Sequence, residues 1–220
     1  MRIHIKISSS DRLIGFNYQP LLTGCVHKWL GGNNNEHGKI SLYSFSWLQN
    51  VDITNKGVKL RNGSYFTLNF YDVERVKAVV KNILEQPEMF ADARVVDIRI
   101  QYTPLFSEKE RFSLASPVLI KRYNNEGKET HYTYLDEEAG KLMAETLKAK
   151  AKIAGLDPEN VKVYFDKEYH SPRTKIISYK NIKNRVTMCP VIIEGSPEIV
   201  AFAWDVGIGN STGIGFGALK

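Results

Sequence analysis

The chain has 220 residues, room for one medium domain or two small ones of roughly 100 residues each. Its 43% hydrophobic and 25% charged content exclude a disordered, collagen-like or coiled-coil chain. The 30 Lys+Arg against 24 Asp+Glu give a net charge of +6 and a pI near 9.1, which point to an anionic partner or, more plainly, to a solvated basic surface.

Two cysteines, Cys25 and Cys189, are too few for a disulfide framework or a cysteine-rich zinc site. The start, MRIHIKISSS, lacks the apolar stretch of a signal peptide, and no run approaches the ~18 consecutive apolar residues of a membrane span. The expected compartment is the cytoplasm, with no membrane partner.

Met1 to Ile7 alternates strictly, Ile3, Ile5 and Ile7 against Arg2, His4 and Lys6, the period of a half-buried strand. From Pro20 the spacing becomes helical, with Leu21, Leu22, Cys25, Val26, Trp29 and Leu30 recurring every three or four residues until Gly31-Gly32 stop it. A polar loop, Asn33 to Lys39, leads to an aromatic strand-like run from Ile40 to Leu48. Val58–Leu60, Asn62-Gly63 and Tyr65–Phe70 read as a hairpin, because Asn-Gly tolerates the positive φ angles of a type I′ turn. Asp72 can cap a helix with the stripe Val73, Val76, Val79, Val80, Ile83 and Leu84, ending near Pro87, and Arg94–Tyr102 is a further strand.

Strand, helix, strands, helix, strand is the βαββαβ order of a ferredoxin-like unit, whose antiparallel sheet carries both helices on one face and leaves the other free. The expected fold class is therefore α+β, with a first domain over 1–103, a connection over 104–116 broken by Pro104, and a second α+β unit over 117–220. In that unit, strands are expected at Val118–Lys121 and Thr130–Tyr134. A helix capped by Asp136 should turn Ala139, Leu142, Met143, Thr146, Leu147 and Ala154 inward and its lysines outward. Strands are then expected at Val161–Phe165, Lys175–Tyr179, Val186–Glu194 and Ile199–Val206.

The densest signal is the C-terminal run Gly207-Ile-Gly209-Asn-Ser-Thr-Gly213-Ile-Gly215-Phe-Gly217, five glycines in eleven residues. Such a loop exposes backbone N–H groups and allows another chain to approach closely. It is neither a P-loop nor a dinucleotide fingerprint, since no Gly-Lys-Ser/Thr occurs and three residues cannot form the following helix.

A glycine-rich loop of this shape, ending Gly-Phe-Gly behind a βαββαβ first domain with a histidine near its first helix, resembles the CRISPR-associated protein six family. These are repeat-RNA-processing endoribonucleases of the repeat-associated RNA-binding superfamily. The resemblance implies two tandem ferredoxin-like domains and metal-independent cleavage of the CRISPR precursor transcript within each repeat. There the 2′-hydroxyl attacks the adjacent phosphate and leaves a 2′,3′-cyclic phosphate and a 5′-hydroxyl. Such chemistry needs a base for the 2′-OH proton, an acid for the leaving oxygen and a cation for the transition-state charge. By the family pattern His37 matches the loop histidine, Lys39 the lysine just past it, and His27 the helix position where some relatives carry tyrosine. Read alone, His27 beside Cys25, Val26 and Trp29 is a packing residue, and His37 is a solvated loop residue. His4, His131 and His170 have no partner in sequence and read as structural or RNA-contacting.

Tyr169–Met188 holds Arg173, Lys175, Lys180, Lys183 and Arg185 around Tyr179 with no acidic residue. Removing those five leaves 25 Lys+Arg to 24 Asp+Glu, so nearly all the net charge sits in this segment. Basic side chains with an interleaved aromatic suit an RNA backbone with unstacked bases, while the plainer reading is a solubilising hairpin. No cofactor is expected: the five histidines and two cysteines show no metal-ligand spacing. The expected partner is CRISPR repeat RNA, with effector-complex subunits and a second copy of the chain as further candidates. The alternative to an endoribonuclease is a non-catalytic RNA-binding subunit of a CRISPR effector complex.

Overall fold

The computed structural model describes residues 1–31 and 40–220. The first half comprises β1 (Arg2–Ile7), β2 (Leu13–Ile14), α1 (Gln19–Leu30), β3 (Tyr43–Phe45), β4 (Asp52–Ile53), β5 (Val58–Lys59), β6 (Tyr65–Phe70), α2 (Val73–Glu85) and β7 (Val95–Gln101). Strands β3-β6-β1-β7 form one antiparallel sheet in that spatial order, the ferredoxin-like arrangement. Ile3, Ile5 and Ile7 face Trp29, Val26, Val76, Val79 and Ile83 of the two helices in one buried cluster. Pro20 pre-sets the first turn of α1, and the Asp72 carboxylate accepts the Glu74 N–H to start α2.

The hairpin expected across Asn62-Gly63 does not form. Val58–Lys59 pairs with β2 and β4 in a small separate sheet, whereas Tyr65–Phe70 pairs with β1 and β3. Gly63 alone takes a positive φ of 86°, and a type I′ turn needs two such residues.

The second half runs β8 (Lys109–Phe112), β9 (Val118–Tyr123), β10 (Glu129–Tyr132), α3 (Ala139–Ile153), β11 (Lys162–Phe165), β12 (Arg173–Tyr179), β13 (Ile182–Met188), β14 (Val191–Glu194) and α4 (Pro197–Val206). It contains two antiparallel sheets, β10-β9-β13-β12 and β11-β14-β8. With its helices and the first half, the molecule is α+β with tandem ferredoxin-like folds.

Four local expectations are corrected here. Ile199–Val206, expected as a strand, is helix α4: Ser196 Oγ accepts the Ile199 N–H and Pro197 opens the first turn. The run expected as one strand over Val186–Glu194 is two, broken at Cys189-Pro190. Asp136 does not cap α3; its carboxylate instead accepts from Thr133 N and Thr133 Oγ1, and the helix begins after Glu138. Within 104–116, Lys109–Phe112 is strand β8, paired with β14 and so part of the second half's structure.

The free sheet face expected in the first half is only partly free. At one end Arg2 lies 3.7 Å over the Trp204 ring and donates to Asn69 Oδ1 (2.8 Å) and Leu219 O (2.7 Å), tying β1 to the C-terminal segment. At the other end Lys6, Tyr65, Asp97 and Arg99 line an open cleft of about 540 Å³. Among the described residues no helix is long and apolar enough to cross a membrane.

Candidate active site

The glycine-rich segment leaves α4 at Gly207, whose φ of +73° turns the chain out of the helix. It returns on itself through Ile208 N–H to Gly217 O (2.8 Å), and Gly217 N–H reaches Pro117 O (2.7 Å). Between these ends Thr212–Ile214 forms a single 3₁₀ turn. The segment is buried: Gly207, Gly209, Gly213, Gly215 and Gly217 are all enclosed. A Cβ on Gly213 would strike Ser41 Oγ and Tyr43 OH, and one on Gly217 would strike the Ile208 carbonyl. At Gly207, Gly209 and Gly215 the obstacles are Gly217 O, Leu119 O and the Phe45 ring. The chain that these glycines let approach is the protein's own.

Both halves hold the loop. From the first half, Gln19 Nε2 donates to Ile214 O (2.6 Å), Trp47 Nε1 to Gly215 O (2.8 Å) and Tyr43 OH to Gly213 O (3.1 Å). From the second, Asn210 takes a strand-like place beside β9, accepting the Lys121 N–H at its Oδ1 (2.9 Å) and donating its own N–H to Leu119 O (2.7 Å). Beneath it, Lys150 of α3 donates to Val206 O (3.0 Å), Gly207 O (3.3 Å) and Thr212 Oγ1 (3.0 Å). Lys150 is fully enclosed, and burial without a carboxylate partner pushes it down to about 7. The expectation that the lysines of this helix all point outward fails at Lys150, which shares the inner face with Met143 and Leu147.

His27 sits at this junction. On the half-buried side of α1, its Nε2 lies 3.3 Å from Gly213 O and 3.3 Å from Tyr43 OH. Gly213 O can only accept, so this contact places the ring proton on Nε2 and orients the imidazole, whose other nitrogen is then the basic one, an arrangement suited to a proton-transfer group on a partly open surface. His37 and Lys39 lie outside the described residues; the chain between Gly31 and Ile40 joins α1 to the strand that carries Tyr43. Beside the loop, Ile40, Ser41, Arg122, Thr146, Lys150 and the 209–212 turn line a cleft of about 400 Å³ between the two halves. Arg122 is fixed there by Leu142 O (2.7 Å), Thr146 Oγ1 (3.2 Å) and Asn210 Oδ1 (3.3 Å).

The basic segment is the β12–β13 hairpin. Its register pairs Arg173 with Met188, Lys175 with Val186 and Tyr179 with Ile182, and on the alternate positions Ile176 with Arg185 and Ser178 with Lys183. Arg173, Lys175 and Tyr179 therefore share one face, Lys183 and Arg185 the other, and Lys180 sits in the turn at φ +47°. At the hairpin base Ile177 and Val186 pack on Phe216 and Ile214, seating it against the glycine loop. His4 bonds Gln101 Oε1 (2.8 Å) and His131 bonds Glu129 Oε1 (2.7 Å), both away from His27 in sequence and partners.

Sequence reasoning missed Tyr43, Lys150, Gln19 and Asn210. Tyr43 was hidden in an aromatic run, and only the three-residue step from Leu147 marked Lys150 as inward.

Residues 100–220, more than half of the chain and including the whole glycine loop, match the family model described as CRISPR associated protein Cas6, C-terminal. The chain belongs to this family. Cas6 membership places the protein in CRISPR RNA processing or binding. Among solved structures it is similar to a Cas6-related protein from Pyrococcus furiosus, at 22% identity and TM-score 0.84, over 100% of this chain and 97% of that one. A RAMP protein binding different RNA substrates matches at 18% identity and TM-score 0.85, over 100% and 98%. The product complex of a Thermus thermophilus Cas6 matches at 13% and 0.68, over 100% and 99%. At these identities the likeness is one of fold. No curated protein matches the chain.

Proposed function

We propose that this Cas6-family protein is a repeat-specific endoribonuclease that cuts precursor CRISPR RNA without a metal. The observation that carries the reading is His27 Nε2 held at 3.3 Å from both Gly213 O and Tyr43 OH, beside a cleft that joins the two halves. In the proposed step the 2′-oxygen bonds to the adjacent phosphorus and the P–O5′ bond breaks. The 2′-OH proton passes to a base and an acid protonates the departing O5′, giving a 2′,3′-cyclic phosphate and a 5′-hydroxyl. His27 and His37 share the two proton roles and Lys39 stabilises the extra charge, the last two assigned on sequence grounds. A histidine changes charge near neutral pH and so can serve either role.

In this reading the five glycines scaffold the site rather than touch the RNA: Gly213 and Gly215, packed against Ser41, Tyr43 and Phe45, fix the carbonyl that orients His27. The RNA backbone follows the hairpin face that carries Arg173, Lys175 and Tyr179, where phosphates meet cations and a base can stack. Lys180, Lys183 and Arg185 add attraction at longer range.

The test is a set of repeat RNAs carrying a 2′-deoxy sugar at each position in turn, incubated with the protein in EDTA. One position alone should block cutting, and the upstream product should end in a cyclic phosphate. Cleavage that requires added magnesium contradicts the mechanism. Tight binding without any cleavage supports instead an RNA-binding subunit of a CRISPR effector complex.

A further inference from the structure

Lys150 occupies a place in α3 where the pattern calls for an apolar side chain. Met143, Leu147 and Ala151 are buried on the same inner face, and Lys150 among them is only 2% exposed. A cation taken out of water is costly unless its donors are all met. Here the three N–H groups of the ammonium find three acceptors: Val206 O (3.0 Å), Gly207 O (3.3 Å) and Thr212 Oγ1 (3.0 Å).

Those acceptors stand at the two ends of one turn. Val206 and Gly207 close α4, where the last carbonyls of a helix lack donors of their own. The N–H that would serve Val206 O in a continued helix belongs to Asn210, and it bonds Leu119 O instead. Thr212 opens the 3₁₀ turn by which the chain comes back. One side chain therefore pins both the exit and the return of the 207–212 segment to α3, and its charge suits the carbonyl end of α4.

The carbonyl that meets His27 comes one residue after Thr212. Gly213 O lies 3.3 Å from His27 Nε2 and accepts from Tyr43 OH (3.1 Å), and Ile214 O accepts from Gln19 Nε2 (2.6 Å) and Thr23 Oγ1 (3.4 Å). All of these partners belong to the first half. Among the described residues, Lys150 is the one side chain of the second half that bonds the stretch 211–215. It holds the loop from beneath while the first half grips it from above.

We infer that Lys150 is a positioning residue for His27, acting through Thr212 and the Gly213 carbonyl to fix the tautomer and direction of the imidazole. Its three protons are engaged and it is too enclosed to meet RNA itself. A methionine would fill the same room but leave two buried carbonyls and a hydroxyl without their donor, so the amine supplies geometry rather than packing. A reacting group misplaced by about 1 Å can lose about a hundredfold in rate. The inference rests on His27 acting in the proposed cleavage.

The test compares the full chain with Lys150→Met and with Ala151→Gly, which weakens the same helix but bonds nothing in the loop. Single-turnover cleavage of a repeat RNA in EDTA is measured beside the dissociation constant of an uncleavable 2′-deoxy RNA. The imidazole nitrogen NMR signals of His27, identified by their loss in His27→Ala, are read without RNA at pH 7. Lys150→Met should cut about 10- to 100-fold more slowly, with the dissociation constant within about threefold. Its His27 signals should move from the Nε2–H form toward a mixture of tautomers, while Ala151→Gly matches the wild type in both readouts. Thr212→Val removes one acceptor and keeps the shape, so it should move both readouts the same way by less. Unchanged His27 signals in a folded Lys150→Met, or in Thr212→Val where Lys150→Met does not fold, overturn the inference. So does an equal change in Ala151→Gly, which would make the effect one of stability. A wild type that never cuts removes the proposed cleavage instead, and the His27 signals alone then decide whether Lys150 positions the ring.

Discussion

The glycine loop and the basic hairpin both stand out in the sequence, and the structure gives them opposite physical characters. The loop is buried and bonded on every side: to α1 and β3 of the first half, and to β9 and Lys150 of the second. In the hairpin Arg173, Lys175, Ile176, Lys180, Lys183 and Arg185 are exposed, while Asn184, Val186 and Thr187 are buried and Ile177 packs inward beside Val186. Glycines bring backbone close to backbone, so a change there is felt as strain across both halves. Cations on a solvated hairpin can be removed one by one with little effect on the fold. In the proposed function the loop therefore sets the geometry of the site and the hairpin sets the attraction for its ligand.

The largest effect should come from filling the loop. Gly217→Ala places a methyl against the Ile208 carbonyl at a φ of +64°, and should cost more than about 3 kcal/mol in urea denaturation. Gly127→Ala, at φ +75° but with open space around it, should cost only about 1 kcal/mol. Equal costs would remove the distinction between a packed loop and an ordinary turn.

Next comes the lysine beneath the loop. Between about 7 and the free value of 10.5, the unfolded chain holds a proton at Lys150 that the folded chain has shed. Stability should therefore rise with pH across that window, by up to about 1.4 kcal/mol per unit from this group, and level off below it. Lys150→Met should remove that slope while leaving the contributions of other groups in place. Parallel stability curves for the two proteins from pH 7 to 10 would show that the lysine keeps its charge when buried.

The smallest effects belong to the hairpin. Replacing Arg173 and Lys175 together by Gln should weaken repeat-RNA binding and lower the salt slope of log Kd by about 0.7 for each phosphate that is no longer neutralised. The Lys183 and Arg185 pair, on the face away from Tyr179, should change the slope less. Urea stability should stay within about 0.5 kcal/mol for both. A hairpin variant that unfolds the protein would erase the contrast with the loop.

The two halves also differ in how far the sequence discloses them. In the first, Ile3, Ile5 and Ile7 alternate and Asp72 caps a one-sided stripe, so local period and local caps specify the elements. In the second, α4 is buried almost all round, from Ile199 to Val206, and a helix without a polar face has no stripe to betray it. The signal present was at its start, Ser196-Pro197, a capping serine followed by proline at the first helical position. The failed hairpin at Asn62-Gly63 has a different cause: turn chemistry is local, but which sheet each flanking strand joins is decided by residues far along the chain. The site follows the same division. His27 and the glycines are visible as residue types, whereas the bonds that unite them, from Gly213 to Tyr43 and from Thr212 to Lys150, span 170 and 62 residues. No periodicity carries such pairings.

In the proposed reaction the buried loop holds His27 as a proton-transfer group rather than as a packing residue. This role is tested most directly by single-turnover cleavage of a repeat RNA in EDTA, with the dissociation constant of an uncleavable 2′-deoxy RNA measured alongside, for the wild type and for His27→Ala. The cleavage rate should fall by about 10²- to 10⁴-fold with the dissociation constant unchanged within about threefold. A His27→Ala protein that cuts at the wild-type rate, or that loses cleavage only in proportion to its loss of RNA binding, would contradict that role.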